Sequence, residues 1–139
     1  MARLIEFTNN HPLLVAGTVL MALAVIFYEL RQRGRGLFEL SPAQAVLLIN
    51  KGAKVCDLRE QDAWAKGHIV DAERVDAERL DEIAQRQAKK KRALLLVCDN
   101  GITSAREAER LRKQGHEQVF SLRGGMTAWL RDNLPVVSG

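Results

Sequence analysis

The apolar residues of the chain are concentrated near its start. From Phe7 to Tyr28 there are 22 residues without Lys, Arg, Asp or Glu, and within them Leu13 to Tyr28 is almost wholly apolar. A helix of about 20 apolar residues spans the roughly 30 Å hydrocarbon core of a bilayer. The pattern therefore predicts a transmembrane helix over residues 13–30 in contact with membrane lipid, preceded by an N-terminal extramembrane segment at 1–12.

Two other interpretations of this apolar segment are weaker. A buried helix of a globular core would show a polar face somewhere in 16 residues, and none is present. A cleavable signal peptide has support from the small residues of Ala22-Leu23-Ala24, but the apolar run continues past them to Tyr28. A retained anchor is therefore favoured.

Basic residues flank the predicted span unequally. Arg3 precedes it, whereas three arginines follow it within residues 31–35. Since Lys and Arg near a span favour the cytoplasmic side, the sequence predicts a single-pass protein of the bacterial inner membrane with a cytoplasmic C-terminal domain. Residues 31–37 are predicted to be a basic linker, because Gly34 and Gly36 should break any helix.

The rest of the chain, residues 38–136, alternates short apolar runs with helical segments. The run Leu94–Cys98 is continuously apolar, which is typical of a strand buried on both faces of a parallel sheet. Further strands are predicted at 54–58 and 119–122, and helices at 43–49 (begun by Ser41 and Pro42), 77–87, 103–114 and 126–132. This alternation predicts an α/β domain with a mostly parallel sheet.

Composition and charge exclude several function classes. A net charge of +4 with 5% aromatic residues does not indicate nucleic-acid binding. Cys56 and Cys98 are separated by 41 residues, which excludes a disulfide-dense scaffold and a C-x-x-C pattern. The three histidines have no ligand spacing, so no metal site or cofactor is predicted.

Candidate chemistry follows the most apolar strand directly. In open α/β sheets ligands bind where strands end and helices begin, and a thiol at a helix N-terminus is stabilised as the thiolate. Gly101 permits a tight loop with inward N–H groups, and Thr103 and Ser104 are expected to cap the next helix and to donate to an anion. The pattern favours a nucleophilic or sulfur-carrying Cys98, whereas Cys56, inside a strand, is predicted to be a core residue. The predicted loop comprises Cys98, Asp99, Asn100, Gly101, Ile102, Thr103 and Ser104.

Three segments, in order along the chain, carry a family resemblance. They are D-x-R…G-H-I at Asp57–Arg59 and Gly67–Ile69, C-x-x-G-x-x-S at Cys98–Ser104, and L-x-G-G-x-x-x-W at Leu122–Trp129 followed by Pro135. In these motifs the chain resembles a single rhodanese domain. The resemblance implies a five-stranded, mostly parallel sheet with helices on both faces. It also implies transfer of sulfane sulfur, as a persulfide on Cys98, from a sulfane donor to a thiol or protein acceptor.

The sequence departs from this family pattern at two positions, Thr103 and Asp71. Many rhodaneses have a basic residue at the position of Thr103, and its absence predicts weak thiosulfate turnover. Related phosphatases need an arginine at the position of Ser104, so phosphoryl transfer is not expected. Asp71 replaces a usual glycine, which should affect a turn. Two functions therefore remain open: a membrane-anchored sulfurtransferase, and a catalytically weak rhodanese module that acts as an adaptor for another membrane protein.

Several other residues are expected to have structural roles. The basic run 89–92 is interpreted as the solvated end of a helix rather than a contact with anionic lipid. Arg123 is a weaker candidate for reaching the Cys98 loop. Asp57 and Arg59 are expected to form a structural polar pair, and His68 is expected to be a hydrogen-bonded structural histidine. Trp64 and Trp129 are expected to anchor the core.

Overall fold

The structure of the chain is a computed structural model that describes residues 1–31, 33 and 36–139 in full. It divides into two compact units, Met1–Gly34 and Arg35–Gly139. The first unit contains helix α1 (Ala2–Asn10) and most of helix α2 (Pro12–Gly36).

Helix α2 contains one stretch, Pro12–Arg31, that is long and apolar enough to cross a membrane. Its most apolar window is not buried against the rest of the chain. The predicted helix break at Gly34 is wrong, because α2 continues through it and ends at Gly36. Glycine lowers helix stability by about 1 kcal/mol per residue but keeps its backbone N–H, so it does not by itself end a helix.

The second unit alternates strands and helices. In chain order its elements are β1 (Glu39–Leu40), α3 (Pro42–Asn50), β2 (Lys54–Asp57), α4 (Gln61–Lys66), β3 (Glu73–Arg74), a 3₁₀ turn (Ala77–Arg79), α5 (Leu80–Lys89), β4 (Leu94–Val97), α6 (Ile102–Lys113), β5 (Val119–Leu122) and α7 (Gly125–Arg131). The strands form one sheet in the order β1-β5-β4-β2-β3, and every neighbouring pair is parallel. The predicted α/β class and parallel sheet are confirmed.

Strand β4 lies at the centre of the sheet and is buried on both faces. Leu94 and Leu96 pack with side chains of α5 and α6, whereas Leu95 and Val97 pack with side chains of α3 and α7. Successive side chains of a strand point to opposite faces, so a continuously apolar strand needs helices on both sides. Full burial of each such side chain stabilises the fold by about 1.5–3 kcal/mol.

The predicted helix boundaries are close to those observed, with local differences. Helix α3 begins at Ser41 and Pro42 as expected, where the Ser41 hydroxyl accepts from the Gln44 N–H and the Gln44 side chain accepts from the Ser41 N–H. The helix predicted at 77–87 begins as a 3₁₀ turn and extends to Lys89. The basic residues 89–92 are exposed where α5 ends, which agrees with a solvated helix terminus.

Candidate functional site

Cys98 directly follows the central strand β4, at the carboxyl edge of the sheet. Its side chain is buried, with 5% of its surface exposed. The loop 99–101 then leads into helix α6. In parallel α/β sheets this edge is where ligands bind, so the fold brings the candidate nucleophile to the expected place.

The Cys98 sulfur accepts hydrogen bonds from the backbone of its own loop. The N–H of Gly101 is 3.1 Å from Sγ, and the N–H of Ser104 is 3.4 Å from it. The Ser104 hydroxyl lies 3.3 Å from the same sulfur. The loop therefore directs two backbone N–H donors at the sulfur.

The loop contains both buried and exposed residues. Cys98, Gly101 and Ser104 are buried and form the hydrogen-bonded cradle. The residues between them are exposed: Asp99, Asn100, Ile102 and Thr103. The predicted site residues are thus together in space, and two of them, Gly101 and Ser104, donate to the Cys98 sulfur.

Gly101 is required by both its conformation and its surroundings. It has φ +88°, and a Cβ at this position would lie 2.8 Å from the Gly124 N and 3.0 Å from the Leu122 O. An L side chain is strained at such a φ, and real Cβ atoms do not approach so closely. The tight turn that aims the Gly101 N–H at Cys98 therefore depends on glycine.

The start of α6 differs from the prediction. Neither Thr103 nor Ser104 caps the helix, because its N-cap is Gly101 and no side chain bonds from that position. Instead, the Asn100 Oδ1 accepts from the Ile102 N–H at 3.1 Å. Asn and Asp commonly bond the backbone two residues ahead in this way, so Asn100 is the residue in the sequence that marks the start of this helix.

Helix α7 braces the Cys98 loop from the opposite side. The Cys98 carbonyl accepts from the Met126 N–H at 2.8 Å, and the Asp99 carbonyl accepts from the Thr127 N–H at 3.0 Å. The Thr127 hydroxyl also donates to the Asp99 carbonyl, at 2.9 Å. A Cβ on Gly125 would overlap the Cys98 carbonyl oxygen. Gly125, the first residue of α7, is therefore needed for this close approach.

The D-x-R…G-H-I motif supports a neighbouring loop, and among the described residues it makes no hydrogen bond to Cys98. Asp57 and Arg59 form a buried ion pair with an Nη2–Oδ2 distance of 2.8 Å, and Arg59 also donates to the Gly67 carbonyl at 2.7 Å. His68 is buried, bonds the Trp64 carbonyl at 2.8 Å and stacks on the Trp64 ring at 3.9 Å between centroids. The predicted structural roles of the ion pair and of His68 are confirmed.

The two tryptophans have different environments. Trp129 is buried in the core, as predicted. Trp64 is only partly buried, so its prediction as a core anchor is wrong. Its indole N–H donates to the Ala72 carbonyl at 3.1 Å and its ring covers His68, which explains an aromatic residue at a partly exposed position.

The second cysteine contrasts with Cys98. Cys56 is fully buried in β2, and this burial raises the pKa of its thiol to about 12. A thiol with so high a pKa is almost entirely protonated near neutral pH and is a poor nucleophile. The prediction that Cys56 is a core residue is confirmed.

A surface cavity of about 380 Å³ opens beside the Cys98 loop. Asn100, Gly101 and Ile102 form its loop side, and Arg106 and Arg123 contribute cations. The Arg123 Nη2 donates to the Glu39 carbonyl at 3.0 Å. Arg123 thus lines the same cavity as the loop, as the sequence suggested. Within the described residues no group of three or more His, Cys, Asp or Glu side chains could hold a metal ion.

Comparison with known proteins identifies one matching family and several proteins of similar sequence. Residues 41–132 match the family described as "Rhodanese-like domain". The whole chain is 28% identical over 142 residues to the "Uncharacterized protein YibN" of Escherichia coli, covering 100% of this chain and 99% of that protein. It is 34% identical over 103 residues to the "Thiosulfate sulfurtransferase GlpE" of Actinobacillus pleuropneumoniae, covering 70% of this chain and 91% of that protein.

A solved structure shares the fold. The crystal structure of a rhodanese-related protein from Thermoplasma volcanium superposes with a TM-score of 0.62 at 24% identity, covering 73% of this chain and 99% of that one. The agreement supports the chain topology around the loop that carries Cys98.

Proposed function

Because the chain belongs to the rhodanese family, we propose that it is a membrane-anchored sulfurtransferase that carries sulfane sulfur as a persulfide on Cys98 and passes it to a thiol or protein acceptor. The observation that carries this proposal is the convergence of the Gly101 and Ser104 N–H groups on the Cys98 sulfur. The curated relative from Actinobacillus bears the name of a thiosulfate sulfurtransferase, which makes thiosulfate the first donor to test.

The proposed reaction has two displacements at sulfur. The Cys98 thiolate attacks the outer sulfur of thiosulfate, the S–S bond of the donor breaks, and sulfite leaves with the electron pair. An acceptor thiolate then attacks the terminal sulfur of the Cys98 persulfide, and the Cys98 thiolate leaves. No separate general base is required once Cys98 is ionised, which is consistent with the structural role of His68.

Intact-mass measurement of the full chain tests this function. After incubation with thiosulfate or a polysulfide, the wild-type chain should gain about 32 Da, the mass of one sulfur atom on one thiol. Cys98→Ser should abolish the gain, and the matched Cys56→Ser variant should retain it. The sulfurtransferase proposal would be refuted if the adduct survives Cys98→Ser. It would also be refuted if none of the sulfane donors produces the adduct on the wild-type chain.

The adaptor alternative rests on one observation at the same loop. Thr103 is exposed at the loop position where many rhodaneses have a cation. The loop side chains therefore supply no positive charge to hold an anionic donor. Thr103→Arg should increase loading by thiosulfate if the missing cation limits the rate. If neither the wild type nor this variant is loaded by any sulfane donor, a binding module for another membrane protein takes the place of the enzyme.

Membrane attachment through residues 13–30 is the second part of the proposal. The apolar stretch Pro12–Arg31 and the three arginines within 31–35 support a single span with the rhodanese domain in the cytoplasm. A phosphatase reporter active only in the periplasm should be silent when it is fused to the C-terminus. Full activity of that reporter would reverse the orientation, and a mature chain that begins at Val25 would replace the anchor by a signal peptide.

A further inference from the structure

Two buried serine hydroxyls connect strand β5 to the Cys98 sulfur. Ser104, in the first turn of α6, and Ser121, on β5, both have 0% of their surface exposed. Their Oγ atoms are 2.8 Å apart, and the Ser104 Oγ is 3.3 Å from the Cys98 Sγ. The three side chains therefore form a continuous chain of polar atoms that runs from β5 to the sulfur.

The direction of hydrogen bonding along this chain follows from counting protons. Each serine hydroxyl has one proton to donate and can accept from other groups. Within the described residues, the Ser104 Oγ is the one hydrogen-bond partner of the Ser121 Oγ. If Ser104 donated to Ser121, the Ser121 proton would be buried without an acceptor, which is strongly unfavourable. Ser121 therefore donates, and Ser104 accepts.

The Ser104 proton then has two acceptors within reach. One is the Gly101 carbonyl at 3.3 Å, and the other is the Cys98 Sγ, also at 3.3 Å, which accepts once it has lost the proton that the neutral thiol donates to the Ser104 Oγ. The Gly101 carbonyl already accepts from the Ala105 N–H at 3.1 Å, so it does not depend on Ser104. A charged acceptor forms the stronger hydrogen bond, and the proton is directed to the sulfur when Cys98 is a thiolate.

We propose that Ser121 is a positioning residue that fixes the Ser104 hydroxyl as a donor to the Cys98 sulfur and so favours the reactive thiolate. The inference rests on the proposed role of Cys98 as the sulfur carrier. Ser121 acts through Ser104 and makes no hydrogen bond to Cys98 within the described residues. Its contribution should be smaller than that of Ser104 and should vanish when Ser104 is absent.

The charged side chains at this edge of the sheet do not replace these donors. Asp57 and Arg59 pair with each other in the loop after β2. The remaining charged residues beside the loop are Glu39 next to β5, Asp99 in the loop, Arg106 and Glu109 on α6, and Arg123 before α7. Within the described residues none of them makes a hydrogen bond to the Cys98 sulfur, whose donors are the uncharged N–H groups of Gly101 and Ser104.

Removal of the Ser121 hydroxyl should leave the fold intact. The Ser121 N–H donates to the Phe38 carbonyl at 2.8 Å in the pairing of β5 with β1, and alanine keeps this bond. Ser121→Ala also changes the side-chain volume only slightly. Val119→Ala is the matched control, because Val119 is a buried residue on the same face of β5 whose apolar side chain cannot hydrogen-bond to the serine pair.

The experiment measures the rate of Cys98 alkylation by iodoacetamide against pH, using the full chain and peptide mass spectrometry. A hydrogen bond to a charged group is strong enough that Ser104→Ala should raise the midpoint pH by about one unit. Ser121→Ala should raise it by about half a unit. The double variant should match Ser104→Ala, whereas Val119→Ala should lower the melting temperature and leave the midpoint unchanged.

Two results would overturn the inference: an unchanged midpoint in Ser121→Ala, or additive shifts in the double variant. Additive shifts would mean that Ser121 acts through packing rather than through Ser104. Alkylation uses no sulfur donor, so the outcome is separable from the proposed function. If the chain shows the predicted shifts but forms no persulfide, the positioning role of Ser121 is supported and the sulfurtransferase proposal is refuted. If the chain forms the persulfide but shows no shift, the sulfurtransferase proposal is supported and the positioning role is refuted.

Discussion

The contact between α7 and the Cys98 loop can be tested with a single methyl group. Gly125 has φ +58°, and a Cβ at this position would overlap the Cys98 carbonyl oxygen and lie 2.7 Å from the Asp99 carbonyl carbon. Both obstacles are backbone atoms of the loop, which cannot rotate away as a side chain can. Gly125→Ala should therefore force α7 and the loop apart.

The magnitude follows from two separate costs. A non-glycine residue in the left-handed region costs about 1–2 kcal/mol. Separation of α7 from the loop also removes the Met126 N–H to Cys98 and Thr127 N–H to Asp99 hydrogen bonds, each worth about 0.5–1.5 kcal/mol. We expect the free energy of unfolding to fall by about 2–5 kcal/mol in total.

Gly115→Ala provides a matched control for backbone strain. Gly115 also has a positive φ, +101°, but a Cβ there would have nothing within 4 Å. It should cost only the strain, about 1–2 kcal/mol. Urea unfolding followed by tryptophan fluorescence measures both variants, and iodoacetamide alkylation reports on the loop. Equal losses of stability, with equal Cys98 reactivity, would refute the view that α7 holds the loop by close backbone contact.

Three further predictions concern residues outside the Cys98 loop. Burial raises the pKa of Cys56 to about 12 from 9.0, so the unfolded chain releases this proton first; stability should fall as pH rises from about 9 to 12, by up to about 4 kcal/mol. Cys56→Ala should show a smaller loss over that range in pH-dependent unfolding. Arg59→Met should lower the free energy of unfolding by about 3–5 kcal/mol, because it leaves the buried Asp57 carboxylate without its partner; a stability loss below 1 kcal/mol in urea would contradict this. Asp71 has φ +64° and is exposed, so Asp71→Gly should raise the melting temperature by a few degrees, as expected for relief of about 1 kcal/mol of strain.

The elements that the sequence predicted are those with a clear pattern of apolar residues. Strand β4 is a continuous apolar run, and its burial on both faces follows from that run. Strands β1 and β3 were not predicted, because each has two residues that are only partly buried and lies at an edge of the sheet. Such strands are defined by pairing with a neighbour rather than by their own residues.

The candidate site was predictable as a position but not as a network. A cysteine after an apolar strand and before a glycine-containing turn indicated the nucleophile. The inward direction of Ser104, and the cap by Asn100 in its place, required the backbone geometry of the turn. Ser121 is 17 residues from Ser104 along the chain, and no local pattern marks a serine in β5 as a neighbour of the loop; the parallel pairing of β4 with β5 brings them together.

The division of the loop into buried and exposed positions separates reactivity from selectivity. The groups that donate to the Cys98 sulfur belong to Gly101 and Ser104, which are buried. The exposed side chains of Ile102 and Thr103 take no part in that cradle, so they can change without loss of the donors. A family built on this loop can therefore vary its sulfur donor and acceptor through the exposed positions, while the backbone N–H groups continue to stabilise the thiolate. For this chain we therefore expect the absence of a cation at Thr103 to affect which sulfur donor is captured, and not whether Cys98 reacts with iodoacetamide.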